Sequence, residues 1–227
     1  MWLQQAANPN TAPVTLNALA TKPDDLVRRS VADNPSTPPE TLNLLAADTD
    51  TRIRVNVARN HNTQPETLTR LAADTNPDVR IRVAGNPNTP GQTLAALSTD
   101  TDYMIQRTVA NNPFTPPATL TTLSTNTDPH VRWFAATNPS TPTEVIVTLT
   151  ADTDTHVAHT ATTTGRTNSL HTYVNTLTEP DRGYARLLVN SGFSGWPNEL
   201  TTLLHSQRTI STTQHATRTT HRTGKND

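Results

Sequence analysis

Arginine recurs at intervals of 26 residues or a multiple of 26, at Arg28, Arg54, Arg80 and Arg132. Gln106 and Ala158 hold the other two positions of this row. A row of guanidinium groups could bind the phosphates of a nucleic acid. It could instead pair with nearby acids, or donate to carbonyl oxygens at helix ends. We favour the structural interpretation, because matching acids recur with the arginines at Asp48, Asp74 and Asp128.

Other residues that could do chemistry do not form a recognisable reactive set. The Asp–Thr–Asp segments, such as Asp48–Asp50, lack the Gly and the distal Glu of a calcium loop. His130 precedes His156 by 26 residues, and adjacent helices lie ~8–10 Å apart, which is too far to share a metal unless the side chains lean together. Cysteine is absent, and no Gly-rich phosphate loop or Ser–His–Asp arrangement stands out. We therefore expect no catalytic residues, no metal, no cofactor and no enzymatic activity.

A cluster of aromatic and basic residues is the best candidate for a binding surface. Two neighbouring positions in each 26-residue unit differ from unit to unit, and in one unit they hold Trp133 and Phe134. Variable exposed positions on a fixed framework are how helical-repeat proteins present binding surfaces. The alternative is that both rings fill a groove against the next unit. The predicted partner-binding set is Tyr103, Met104, Arg107, His130, Trp133, Phe134, His156 and His159.

The elements that position these residues follow from the repeat. Asparagine recurs every 26 residues at Asn34, Asn60, Asn86, Asn112 and Asn138, with an earlier copy at Asn8. Three residues after each comes a threonine, at Thr37, Thr63, Thr89, Thr115 and Thr141. The following Pro and Glu or Gln are typical of a helix start, so we predict that each Thr is the N-cap. Leucines spaced by three, such as Leu42 and Leu45, then give one apolar face, and we expect a helix of about ten residues, for example 38–47.

A second, shorter helix is predicted in each unit. The Asp–Thr–Asp segment would cap its start. Apolar residues spaced by four follow, for example Ile53 and Val57, with Ala58 just beyond. This spacing indicates two turns of α- or 3₁₀-helix, although β-branched residues leave a strand open. Asn before Pro then ends the helix with a turn in which the Asn side chain accepts from the backbone two residues on.

The pattern resembles the variant leucine-rich repeat family, most clearly over 27–50, 53–76 and 79–102. The resemblance implies an all-α, right-handed α-solenoid of 26-residue two-helix units and a binding surface without a known activity. The family's founding member carries a cysteine-ligated iron–sulfur module. This chain has no cysteine, so we do not expect that cofactor or a redox role here.

The chain divides into three predicted parts. Residues 1–164 form the solenoid of about six repeats, 165–205 a degenerate C-terminal capping repeat, and 206–227 a disordered basic Thr-rich tail. Phe193 and Trp196 lie in an insertion of the capping repeat. A chain that is only 33% hydrophobic and 4% aromatic suits a stack with a narrow core.

The broad function follows from these features. Formal net charge is −1, the start carries no signal-peptide pattern, and no apolar run is long enough to cross a membrane. We expect a cytoplasmic, non-enzymatic scaffold that binds a protein or peptide. The alternative is nucleic-acid binding through the Arg row and the basic tail, and the neutral overall charge argues against it.

Overall fold

The computed structural model describes residues 1–179, 181–190, 197 and 199–204, and within these residues every regular element is a helix. The all-α prediction is confirmed. The helices are α1 (Trp2–Ala7), α2 (Pro13–Leu19), α3 (Asp25–Asp33), α4 (Pro39–Leu45), α5 (Thr51–Arg59), α6 (Pro65–Leu71), α7 (Pro77–Gly85), α8 (Gly91–Leu97), α9 (Tyr103–Asn111), α10 (Pro117–Leu123), α11 (Pro129–Thr137), α12 (Thr143–Leu149), α13 (Thr155–Thr176) and α14 (Asp181–Asn190).

From α2 to α12, helices of seven and nine residues alternate. The seven-residue helices begin at or just after proline, which fits a first turn because its nitrogen needs no acceptor. Each buries two aliphatic side chains three residues apart, such as Leu42 and Leu45, and α4, α6, α8 and α10 also bury a threonine. The predicted ten-residue helix at 38–47 is therefore shorter, Pro39–Leu45, and the backbone turns immediately after it.

The nine-residue helices bury an aliphatic pair spaced by four residues and the alanine that follows it. Ile53, Val57 and Ala58 are the buried residues of α5, and Val79, Val83 and Ala84 those of α7. The segment is an α-helix, so neither 3₁₀-helix nor strand describes it, and with nine residues it is longer than the first helix of the unit rather than shorter as predicted. As predicted from the Asp–Thr–Asp segments, an acid or amide caps each start: Asp50 accepts from the backbone N–H of Arg52, and Asn76 from that of Asp78.

The two kinds of helix form two layers. The nine-residue helices contact one another directly, α3 with α5, α5 with α7, α7 with α9 and α9 with α11, and α1 contacts α3. The seven-residue helices make their main contacts with the nine-residue helices of their own and the neighbouring unit. One continuous apolar core results, from Ala6 to Ala135. The nine-residue layer is thus a row of adjacent helices whose outward positions share one surface.

The chain separates into two compact units, one of residues 1–158 and one from residue 159 on. In the second unit Val174, Ala185, Leu200 and Leu204 form a small buried cluster. The 22-residue helix α13 replaces the nine-residue helix at the point where the repeat pattern loses its register. The boundary at 164 and the capping role of 165–205 stay predictions. Phe193, Trp196 and the predicted tail 206–227 lie outside the described residues.

Candidate binding face

The threonines that recur from unit to unit do not cap the helix that follows them. The N-cap positions of the seven-residue helices are Pro38, Gln64, Pro90, Pro116 and Pro142, and none makes a side-chain cap hydrogen bond. Each Thr instead donates its Oγ1–H backwards to a carbonyl near the end of the preceding helix, as Thr89 does to the Val83 oxygen at 2.5 Å. The N-cap prediction for Thr37, Thr63, Thr89, Thr115 and Thr141 is therefore wrong. Their hydroxyls donate to carbonyl oxygens in the last turn of the preceding helix, where carbonyls lack partners within the helix.

The asparagine row makes the predicted turn and one further connection. Asn86 Oδ1 accepts from the backbone N–H of Asn88 at 2.9 Å. Its Nδ2 donates to the carbonyl oxygens of Ala58 at 2.8 Å and Asn60 at 3.1 Å, both in the preceding unit. The same pair of donations repeats at Asn34, Asn60, Asn112 and Asn138. The buried amides thus form a ladder of hydrogen bonds that joins successive units.

The arginine row is held by carboxylates 20 residues later, in the turn that follows the next seven-residue helix. Arg54 Nε and Nη2 donate to Asp74 at 2.6 and 3.0 Å, while its Nη1 donates to the Asp48 carbonyl oxygen at 2.9 Å. The equivalent pairs are Arg28–Asp48, Arg80–Asp100 and Arg132–Asp152. The arginine side chains are only 14–17% exposed and the carboxylates 7–10%. The planar fork of each guanidinium is therefore engaged by a carboxylate and by backbone carbonyls of the turn before its own helix.

These contacts change the acidity of the carboxyls. The hydrogen bonds from the guanidiniums, against the opposing effect of burial, hold the pKa of the Asp74, Asp100 and Asp152 carboxyls below its ordinary value. At Asp48 burial raises the pKa, and the hydrogen bond from Arg28 with other favourable contacts lowers it further than burial raises it. The pairs are therefore charged at neutral pH.

One unit replaces the ion pair with a neutral pair. Where the row holds Gln106, the partner position 20 residues later holds Asn126, whose Nδ2 donates to Gln106 Oε1 at 2.6 Å. Gln106 Nε2 donates in turn to the Asp100 carbonyl oxygen at 2.6 Å. Asp128, which the sequence suggested as a partner of the Arg row, instead pairs with Arg107 at 2.8 Å. Both members of the pair change together, so the two positions act as one contact between units.

The predicted aromatic residues line a groove in the first compact unit. Its walls are Pro129, His130, Trp133, Phe134, Asp154, His156 and Val157, and its volume is about 350 Å³. Trp133 and Phe134 pack edge to face with ring centroids 4.8 Å apart and an interplanar angle of 74°. Trp133 is 37% exposed, while Phe134 is half-buried and packs against the core. The two interpretations from sequence thus divide between the rings: Trp133 is outward, and Phe134 supports it from below.

The remaining predicted residues fall into two groups. Tyr103 and Met104 are exposed on α9, at 54% and 43%, and Arg107 lies 4.7 Å from the Tyr103 ring centroid while bonded to Asp128. The second group is the histidines: His130 and His156 are exposed and line the groove. His159 is exposed and belongs to the second compact unit.

Two structural observations bear on other kinds of site. Among the described residues, no group of three or more His, Asp or Glu side chains is placed to hold a metal ion. No helix in the described part of the chain is sufficiently long and apolar to cross a bilayer.

The architecture is that of a helical-repeat solenoid, and comparison with known proteins identifies the repeat. The profile of the family described as leucine rich repeat variant matches residues 26–50 and 77–102. A solved structure described as a leucine-rich repeat variant with a novel repetitive protein structural motif is 26% identical, with a TM-score of 0.56. The match covers 72% of this chain and 64% of that one, so the chain spans less than two thirds of that structure's length. Residues 26–50 and 77–102 therefore match leucine-rich repeat variant units, as the sequence resemblance predicted.

Two further solved structures are less similar. An engineered protein is 19% identical with a TM-score of 0.40, covering 74% of this chain and 95% of its own. The Escherichia coli protein YibA is 15% identical with a TM-score of 0.45, covering 90% of this chain and 94% of its own. Neither score carries an argument about this fold. A search of the curated proteins finds no match.

Proposed function

We propose that this repeat scaffold is a non-enzymatic peptide-binding protein, and that its anchor site is the groove beside Trp133. The observation that carries the proposal is the contrast between the two halves of each nine-residue helix. One side repeats the same buried and hydrogen-bonded residues in unit after unit. The other holds residues that differ, including an exposed tryptophan above a half-buried phenylalanine.

The groove has the size and composition for one large apolar side chain. A volume of about 350 Å³ lies at the low end of the range of roughly 300–1,000 Å³ for ligand pockets. Tryptophan is also among the residues that most often dominate binding energy, because it contributes a large rigid contact area. His130 and His156 at the rim can donate hydrogen bonds to a peptide backbone or carboxylate.

Nucleic-acid binding through the Arg row is disfavoured by geometry. Each guanidinium of that row already has a carboxylate and turn carbonyls as partners. Phosphate binding would have to replace these contacts, and the paired Asp would then face the phosphate. If such binding nevertheless occurred, affinity for random duplex DNA would fall steeply as salt rises.

The test compares proteins captured from a lysate of the native host by two single variants. Trp133→Ala removes the exposed ring while Phe134 keeps its core contacts, so helical content should be retained. Phe114→Ala is the matched control, because Phe114 is 60% exposed and does not line the groove. We expect Trp133→Ala to lose a partner that wild type and Phe114→Ala retain, by quantitative mass spectrometry.

The double variant Trp133→Ala with Phe134→Ala should abolish binding as well, with helical content kept. The same set of captured proteins for wild type and Trp133→Ala would refute the anchor site.

A further inference from the structure

A second groove on the nine-residue layer has the opposite character to the aromatic one. It lies across α3, α5 and α7, measures about 570 Å³, and is lined by Arg29, Arg52 and Arg82 together with Val55 and Asn56. Arg29, Val55, Asn56 and Arg82 occupy the variable positions of their helices, the positions that hold Trp133 and Phe134 in α11. The sequence pattern marked these positions as variable without indicating that arginines from alternate units would share one groove.

Two of the guanidiniums in this groove make no ion pair within the described part of the chain. Arg52 is paired with Asp25 at 2.9 Å and Asp50 at 2.7 Å. Asp33, also in the lining, is paired with Arg59. Within the described part of the chain, Arg29 and Arg82 make no ion pair, and Asp78, in the first turn of α7, is the remaining lining carboxylate. The lining therefore holds three arginines and two aspartates, and Arg29 and Arg82 are its guanidiniums without an ion pair in the described part of the chain.

This basic groove continues towards the aromatic groove. Arg82 also borders a third depression of about 270 Å³, which includes His61 and Ile81 and reaches Thr108 on α9. On α9 the exposed Tyr103 and Met104 come next, and α11 follows with Trp133. Basic and aromatic positions thus lie along one layer of directly contacting helices.

We propose that the ligand is a single extended acidic peptide with one aromatic or large aliphatic anchor residue. This inference rests on the proposed function and adds the partner's chemistry and spacing. The anchor occupies the groove beside Trp133, and carboxylates of the peptide pair with Arg82 and Arg29. Charge complementarity carries the choice, since a guanidinium that is not engaged in an ion pair can bind a carboxylate with two parallel hydrogen bonds.

The helix spacing sets the expected register. Adjacent packed helices are ~8–10 Å apart, so α7 and α11 are separated by roughly 16–20 Å and α3 and α11 by roughly 32–40 Å. An extended chain advances ~3.3 Å per residue. The first acid should therefore lie about five or six residues from the anchor, and the second about ten to twelve.

A peptide fits this surface better than a nucleic acid does. Nucleic-acid binding draws much of its affinity from many phosphate contacts, about 6–10 in strongly salt-dependent complexes. Here the arginines of the repeated row are engaged by Asp48, Asp74, Asp100 and Asp152. Two guanidiniums and an apolar groove match the sparse charge and single anchor of a peptide.

The experiment selects ligands from a displayed library of random peptides about 16 residues long, enough to span the three positions. The library is panned against the full-length wild type and three variants: Arg29→Gln with Arg82→Gln, Trp133→Ala, and Arg70→Gln. Arg70→Gln is the matched control, because Arg70 is an exposed arginine of the seven-residue helix α6.

On wild type and Arg70→Gln, enriched peptides should carry an aromatic or large aliphatic residue with Asp or Glu at about the stated spacings. The Arg29→Gln, Arg82→Gln variant should lose the acidic preference and keep the anchor. A synthetic enriched peptide should bind this variant about tenfold more weakly, since each exposed charge pair contributes up to about a threefold to fivefold change.

Two outcomes separate this inference from the function on which it rests. Peptides enriched for the anchor alone, with equal affinity for the arginine variant, would overturn the acidic-peptide inference and leave the anchor site standing. Enrichment that Trp133→Ala does not change would overturn both. Tighter binding of random single- or double-stranded DNA than of any enriched peptide, lost on Arg29→Gln with Arg82→Gln, would assign the basic groove to phosphate instead.

Discussion

Replacing Asn86 with alanine should destabilise the solenoid more than any exposed polar substitution. Asn86 is 3% exposed, and its amide makes three hydrogen bonds: one accepted from Asn88 and two donated to the carbonyls of Ala58 and Asn60. Each is worth about 1 kcal/mol net, and more where a buried group is left without a partner. The expected loss in free energy of unfolding is therefore about 3 kcal/mol. For a domain of this size that corresponds to a fall of roughly 6–12 °C in melting temperature.

The matched control is Asn88→Ala, two residues away in the same turn. Asn88 is exposed, and its side chain donates to the His61 carbonyl oxygen at the surface. Its removal should cost no more than about 0.5 kcal/mol. Urea unfolding followed by far-UV circular dichroism measures both variants. An Asn86→Ala loss equal to that of Asn88→Ala would refute the claim that the buried amides hold the units together.

Three further predictions concern the framework. Thr89→Ala removes the donor to the Val83 carbonyl and should lower the free energy of unfolding by about 1 kcal/mol, the same size as expected for the cap first predicted at Thr63 and Thr89. Thr89→Val should cost a similar amount. An unchanged midpoint in urea for both variants would contradict this. Arg80→Gln should lower the free energy of unfolding by about 2 kcal/mol because it leaves the Asp100 carboxylate without its guanidinium. Adding Asp100→Asn should recover part of this loss, since the Gln106–Asn126 pair fills the equivalent positions in another unit. A double variant no more stable than Arg80→Gln in the same assay would count against this. The arginines lower the pKa of the Asp74 and Asp100 carboxyls, and Arg52 lowers the pKa of Asp50 to about 2. The contribution of these carboxylates to stability is therefore complete above the unfolded pKa of about 3.9 and is lost as pH falls through the folded values. The free energy of unfolding, measured from neutral to acidic pH, should drop in that window, and less steeply in Asp74→Asn.

The features predictable from sequence were those encoded within one unit. The aliphatic spacing of Ile53, Val57 and Ala58 predicted a buried helix, and the acid before it predicted the cap. The asparagine before proline predicted the turn that its side chain closes. These interactions span two to four residues, so the order of residue types was sufficient.

Contacts between units were harder to derive. The Asn86 amide reaches carbonyls 26 and 28 residues earlier, and Arg54 reaches Asp74, 20 residues later. Such partners depend on how units stack, which one unit does not specify. The sequence signals for this pairing were the recurrence of Asp48 and Asp74 with the arginines and the joint departure of Gln106 and Asn126 from their rows. The threonines were misassigned because a hydroxyl beside a helix start can equally face the end of the preceding helix.

The candidate site was predictable only where a single unit marks the residue, and not where the site depends on how units stack. Trp133 stood out because a large aromatic residue occupies a position that varies between units and holds Arg29, Val55, Ile81 and Arg107 elsewhere. The outward position of Trp133 and the inward one of Phe134 depend on the stacking of α11 against its neighbours. The shared groove of Arg29 and Arg82 depends on the alignment of α3 with α7 across α5.

The most direct measurement of the central claim is nuclear magnetic resonance mapping of a library-selected peptide on the isotopically labelled full chain. Shift changes should include the Trp133 indole N–H and the backbone amides of His130 and His156, and extend along the nine-residue layer to Arg82. Changes confined to the seven-residue helices, such as α6 and α8, would contradict the assignment of the binding face.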